Sequence, residues 1–189
     1  MRPVNEQDAL ARGIIAPTTR MQRKNIRLAR IQYEGQRKYF ITLCSSKRSR
    51  FFARRELAER AIELLLQTAE KHEFTVHAYC FMPDHMHTLV ESRGAGGDLL
   101  PFVMDYKRKT TVSLAQATGV FLWQKKFYDH ILRRNDSPQG AAAYILMNPV
   151  RGKLCEAAGD YPFSGSMSAD WKNGVNAADT WIPPWKEHV

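Results

Sequence analysis

Phe74-Thr75-Val76-His77-Ala78-Tyr79-Cys80-Phe81-Met82-Pro83-Asp84-His85-Met86-His87-Thr88-Leu89-Val90-Glu91-Ser92 is the stretch that decides the fold. Its two arms are rich in aromatic and β-branched residues, and Pro83 with Asp84 interrupts them. The reading is a strand over Phe74–Phe81, a short turn, and a strand over His85–Ser92. Upstream, Leu57, Ala61, Ile62, Leu64, Leu65 and Ala69 recur at helical spacing with Arg and Glu opposite, which predicts a helix over 54–71. Lys38–Cys44, before it, has strand composition. Downstream, Arg93-Gly94-Ala95-Gly96-Gly97 breaks the chain, and Asp98 is placed to cap a helix running to about Ala117. Trp123–Arg133 reads as a fourth strand. The order is β-α-β-β-α-β, the split βαβ arrangement of a ferredoxin-like α+β fold. A further helix follows, with Ser137 as cap and Pro138 at its first position, ending near Pro149.

The 189 residues suit one domain. Residues 1–30 are polar and basic and read as an N-terminal extension, 31–159 as the folded domain, and 160–189 as a wrapping tail. The net charge of +9 is unevenly spread. Residues 20–60 hold thirteen basic side chains against three acidic ones, an electrostatic footprint for polyphosphate. The competing reading, attachment to an anionic membrane, lacks an amphipathic anchor or a lipidation motif. Cys44, Cys80 and Cys155 have no paired spacing and imply no disulfide framework. There is no apolar leader and no run of about 18 apolar residues, so a cytoplasmic, nucleoid-associated protein is expected.

Residues i and i+2 of a strand share a face, so His85 and His87 converge on one point, as a divalent cation requires. Glu91 lies on the same strand face and brings a carboxylate. The bland alternative is one core and one surface histidine. Tyr144 and Asn148 stand at i, i+4 on the last helix, about one turn or ~6 Å apart. An aromatic there is ordinarily core, and a residue before proline is ordinarily a helix stop. Taken together, Asn148 is a suitable third oxygen ligand, and Tyr144 is aimed at a phosphate held by the same ion. A phenol, with an ordinary pKa near ~10, needs a neighbouring cation or base to act as a nucleophile at neutral pH. Lys107, Arg108 and Lys109 either grip a DNA backbone or form a solvated helix face. Lys125, Lys126 and Arg151 are further candidates for DNA contact. Trp123, Phe127 and Tyr128 either stack on bases or pack in the core.

Phe81–Val90 resembles the His-hydrophobic-His (HUH) motif of single-tyrosine transposases. Tyr144–Leu154 resembles their nucleophile helix, in the form found in REP-associated tyrosine transposases. Trp123–Arg133 and Tyr161-Pro162-Phe163-Ser164 fit the same subgroup, so the likeness spans about residues 36–166 in matching order. The resemblance implies a metal-dependent enzyme, monomeric or homodimeric, that cleaves single-stranded DNA near hairpins. It makes His85, His87 and Asn148 the ligands of Mg or Mn. It makes Tyr144 the nucleophile, leaving a 5′-phosphotyrosine and a free 3′-OH. A non-catalytic nucleic-acid-binding protein of the same fold would need none of these four residues, and a water-activating hydrolase would not need Tyr144.

Overall fold

The computed structural model describes residues 36–94, 97–119 and 121–166. The expected extension over 1–30 and the tail beyond Ser166 lie outside these residues. Strand β1 spans Lys38–Cys44, β2 Phe74–Met82, β3 His85–Ser92, β4 Tyr128–Ile131 and β5 Ser164–Ser166. Helix α1 spans Arg55–Lys71, α2 Leu99–Thr118, α3 Pro138–Leu146 and α4 Asn148–Arg151. The strands form one antiparallel sheet in the order β4-β1-β3-β2-β5. This is the α+β architecture expected from the split βαβ order, with a fifth strand added.

Alternation along the strands gives the sheet two different faces. On one, Tyr39 and Phe74 lie near each other, and Phe74 stacks on Phe102 of α2 with centroids 4.8 Å apart. Phe52 meets Phe81 and Trp123, and the Tyr106 hydroxyl donates to the Ala61 carbonyl, joining α2 to α1. On the other face Phe40 meets His87 and Tyr144, which brings α3 onto the sheet opposite the two long helices. An irregularity in β2 between Val76 and Ala78 leaves His77 without a register partner on β3.

Both helix caps read from sequence form. Asp98 accepts a bond from the Leu100 amide at 3.0 Å, and Ser137 Oγ accepts one from the Gly140 amide at 2.9 Å.

Two expectations need correcting. The fourth strand is shorter than 123–133, because its N-terminal part is held otherwise. The Trp123 indole donates to Thr110 Oγ1 at 2.7 Å, and Lys107 Nζ donates to the carbonyls of Gln124 and Lys125 at 2.6 and 3.1 Å. Side chains of α2 thus take carbonyls that a longer ladder would have used. The sheet also continues beyond residue 159. Tyr161 donates to the Phe81 carbonyl at 2.8 Å, the Phe81 amide donates to the Phe163 carbonyl at 2.9 Å, and Ser164–Ser166 then pairs with β2. Tyr161-Pro162-Phe163-Ser164 therefore braces a sheet edge. The absence of a Cβ at Gly165 lets the Tyr79 ring lie against this strand, since a Cβ would fall 2.4 Å from the Tyr79 hydroxyl oxygen and the ring would have to shift.

Lys107 gives the first testable consequence. Replacing it with Met leaves two carbonyls without their charged donor, at a cost of about 1–3 kcal/mol. Denaturant unfolding of Lys107→Met should show that loss, while the salt dependence of DNA binding stays unchanged. A changed salt slope with unchanged stability would return Lys107 to the backbone-gripping role.

Candidate active site

The centre of the site is the start of β3. Cys44 and Met82 flank His85 in register, and Thr42 and Cys80 flank His87. Both histidines are therefore held by strand neighbours on either side. Their ring centroids are 4.9 Å apart. His87 Nδ1 lies 2.7 Å from Thr42 Oγ1, and His85 Nδ1 lies 2.6 Å from Asp84 Oδ1. The tautomer that donates from Nδ1 in each ring presents a lone pair at Nε2, the usual outer support of a metal-binding histidine. Burial lowers the pKa of His85 from its ordinary value, with the Asp84 hydrogen bond opposing. The neutral, ligating form is favoured near pH 7.

Tyr144 arrives from the opposite element. It is only 9% exposed and rests against Phe40 and His87, with ring centroids 5.9 and 6.2 Å away. Pro149 has no amide hydrogen and interrupts the helix, so α3 ends at Leu146 and the short α4 follows from Asn148. The Tyr144 carbonyl accepts from Asn148 Nδ2 at 3.0 Å and also from Arg151 Nη2. The amide nitrogen of Asn148 is thereby occupied, and its oxygen is the atom left for a cation. The proline break expected as a helix end thus serves the site, since it fixes Asn148 one turn beyond Tyr144.

Thr42, Arg48, His85, His87, Tyr128, Tyr144 and Asn148 line one pocket of about 390 Å³. The structure brings together His85, His87, Asn148 and Tyr144. It sends Glu91 elsewhere, to Lys38 at 2.6 Å and His77 at 2.8 Å, at the far end of β3. Among the described residues no three His, Cys, Asp or Glu side chains group as a metal site. The donor set at hand is two imidazoles and an amide oxygen, which suits an octahedral cation completed by water or phosphate oxygens.

The other candidates divide. Arg151 stacks its guanidinium 4.1 Å from the Tyr144 ring centroid, a cation held over the phenol. Lys109 leans toward Asp105 at 3.6 Å, whereas Lys125 and Lys126 are exposed. Trp123 is buried in the core and Phe127 packs partly against it. Tyr128 reaches the pocket, with its pKa pushed up to about 12 by burial and then by Asp129, so its hydroxyl stays protonated. Thr42 and Arg48 also line the pocket and carry no sequence motif. Only the strand pairing and the return of the loop after β1 place them here.

The family model described as transposase, IS200-like, matches residues 35–146. This chain belongs to the IS200-like transposase family. Members cleave DNA and transfer strands, and the family generally uses a divalent metal. An Escherichia coli K12 REP-associated tyrosine transposase is 24% identical over 120 residues, covering 59% of this chain and 70% of its own. A Haemophilus influenzae protein named for the same REP-associated group is 27% identical over 124 residues, covering 60% and 70%. The solved structure of a REP-associated tyrosine transposase bound to a REP hairpin superposes with a TM-score of 0.62. It is 22% identical and covers 84% of this chain and 92% of that one, a likeness of fold. No described helix of this transposase is long and apolar enough to cross a membrane.

Proposed function

We infer that this transposase cleaves single-stranded DNA beside a hairpin through a covalent Tyr144–DNA intermediate, with a divalent cation at His85, His87 and Asn148. The observation that carries the reading is the shared pocket, which places a phenol, two imidazoles and an amide oxygen around one space. The hairpin in the solved relative supports the substrate class.

His85 and His87 would hold Mg or Mn through Nε2, and Asn148 through its amide oxygen. The bound cation would supply Lewis-acid polarisation of the phosphate. Tyr144 Oη attacks phosphorus and loses its proton to solvent. The P–O3′ bond breaks, the leaving 3′ oxygen takes up a proton, and the 5′-phosphate remains on Tyr144. A 3′-OH from the same or another strand reverses the step, so rejoining needs no outside energy. Arg151 stabilises negative charge developing on the phenol oxygen, and Phe40 with His87 holds the ring in place. The exposed Lys125 and Lys126, just before Tyr128 of the pocket wall, are proposed to contact the DNA backbone.

The test is a denaturing gel of the protein with labelled hairpin-bearing single strands, in Mg or Mn and in chelator. A metal-dependent covalent adduct is expected. Metal-dependent cleavage with no adduct would replace Tyr144 by water as nucleophile. Arg151→Met should slow adduct formation by roughly 30-fold, equivalent to about 2 kcal/mol for a partly buried cation over a ring. DNA affinity should change much less. The opposite pattern, affinity lost and rate kept, would make Arg151 a backbone contact.

A further inference from the structure

The loop after β1 holds a residue that the mechanism above does not use. Lys47 and Arg48 both have left-handed backbones, with φ of 53° and 57°. Residues bearing side chains avoid that region, and such outliers collect where a site demands a particular geometry. The surrounding bonds show what is being held. Ser45, fully buried, donates its amide to the Asp84 carbonyl at 3.0 Å. Its hydroxyl lies 2.7 Å from the Ser49 carbonyl and 2.9 Å from the Asp84 carbonyl, sharing one hydrogen between them. The loop is thereby sewn to the turn that precedes His85.

Arg48 spans the two. Its Nε lies 2.9 Å from Asp84 Oδ2, while Asp84 Oδ1 lies 2.6 Å from His85 Nδ1. Its Nη1 donates to Cys44 Sγ at 3.0 Å. The guanidinium side chain is still 52% exposed and forms part of the pocket wall beside Tyr128 and Tyr144. An arginine can serve two anions at once because its donors diverge from a rigid plane. We propose that Arg48 binds a non-bridging oxygen of the attacked phosphate with its outer nitrogen edge while its inner edge positions His85 through Asp84. This rests on the cleavage reading given above and adds to it a phosphate contact and a positioning chain. A lysine at this position keeps the charge but has no second edge.

Two measurements on Arg48→Ala and Arg48→Lys test it. The first uses the hairpin-bearing strand on which wild type forms its adduct, the adduct itself marking the attacked phosphate. Binding is measured in chelator to that strand and to one carrying a neutral methylphosphonate at the marked position. Wild type should prefer the charged strand by about 10-fold, the scale of one charge-assisted hydrogen bond. Arg48→Ala should lose that preference, and Arg48→Lys should keep part of it. The second is Mn affinity of the DNA-free protein, read by electron paramagnetic resonance. Both variants and Asp84→Asn should bind Mn about 10-fold more weakly, the usual effect of removing outer support from a ligating histidine. If wild type has no preference for the charged strand, or Arg48→Ala retains it, the phosphate contact is wrong. Unchanged Mn affinity in all three variants removes the positioning role. Failure of wild type to form an adduct on any strand would instead overturn the cleavage reading, so the two failures are distinguishable.

Discussion

Tyr144→Phe should abolish the covalent adduct and lower cleavage by about 10⁴-fold or more, the scale seen when a nucleophile is removed from a site that still binds. Hairpin DNA should bind with nearly wild-type affinity. Only one oxygen is lost. The ring remains wedged against Phe40 and His87 and under the Arg151 guanidinium, so the pocket keeps its shape. The backbone is also preserved, because Asn148 and Arg151 both bond to the Tyr144 carbonyl, and losing the hydroxyl removes at most its own bond with the Arg151 side chain. Stability should therefore change little, which melting of the free protein would verify. The measurement is single-turnover cleavage with Mn, followed on a denaturing gel. Unimpaired cleavage by Tyr144→Phe would exclude Tyr144 and leave activated water as the nucleophile. Tyr128, the second phenol of the pocket, is the natural comparison. Its burial raises its pKa to about 12, which favours the protonated hydroxyl and makes it a poor substitute. Tyr128→Phe should retain adduct formation.

The sheet was legible in the sequence because each strand carries its own signal. Lys38–Cys44 and the two arms around Pro83-Asp84 are apolar, β-branched and bounded by turn residues, and the structure places strands there. The caps Asp98 and Ser137 are equally local. What escaped depends on distant partners. Trp123 has the composition of a strand residue, yet its indole is captured by Thr110 of α2 and makes only an isolated bridge to Ser45. Ser164–Ser166 has no strand signature of its own, and becomes one because the Phe81 amide and carbonyl await partners on the open edge of β2. The site divides the same way. His85 with His87 and Tyr144 with Asn148 are spaced by a strand and a helix period, so each pair could be read as convergent. Arg48 and Thr42 reach the same pocket from β1 and its following loop, with no period to mark them. Arg151 looked like one more basic residue. It lies over the Tyr144 ring from the short helix that follows the Pro149 break.

His87→Ala should lower Mn affinity by at least about 10²-fold, because on the proposed ligand set it deletes a direct ligand and not merely its outer support, whose loss alone costs 10–100-fold. Cleavage should fall in parallel, and chelation of wild type should give the same defect. The change falls in the middle strand, where His87 is 8% exposed and backed by Thr42, Phe40 and the His85 ring. Some stability is lost too, since Thr42 forfeits a partner worth about 1 kcal/mol. That side effect must be separated from loss of the ligand. His77→Ala serves as the control. His77 is on the neighbouring strand, half-buried, and bonded to Glu91 at 2.8 Å, away from the pocket. Its replacement should cost comparable stability and leave Mn affinity intact. Glu91→Gln extends the control to the carboxylate that sequence placed beside the histidines, and it too should retain Mn binding, because Lys38 and His77 already hold that carboxylate at the other end of β3. Equal Mn affinities for His87→Ala and His77→Ala would remove His87 from the ligand set. Weakened binding in Glu91→Gln would mean that a carboxylate joins the ion after all, which requires the ion pairs around Glu91 to open.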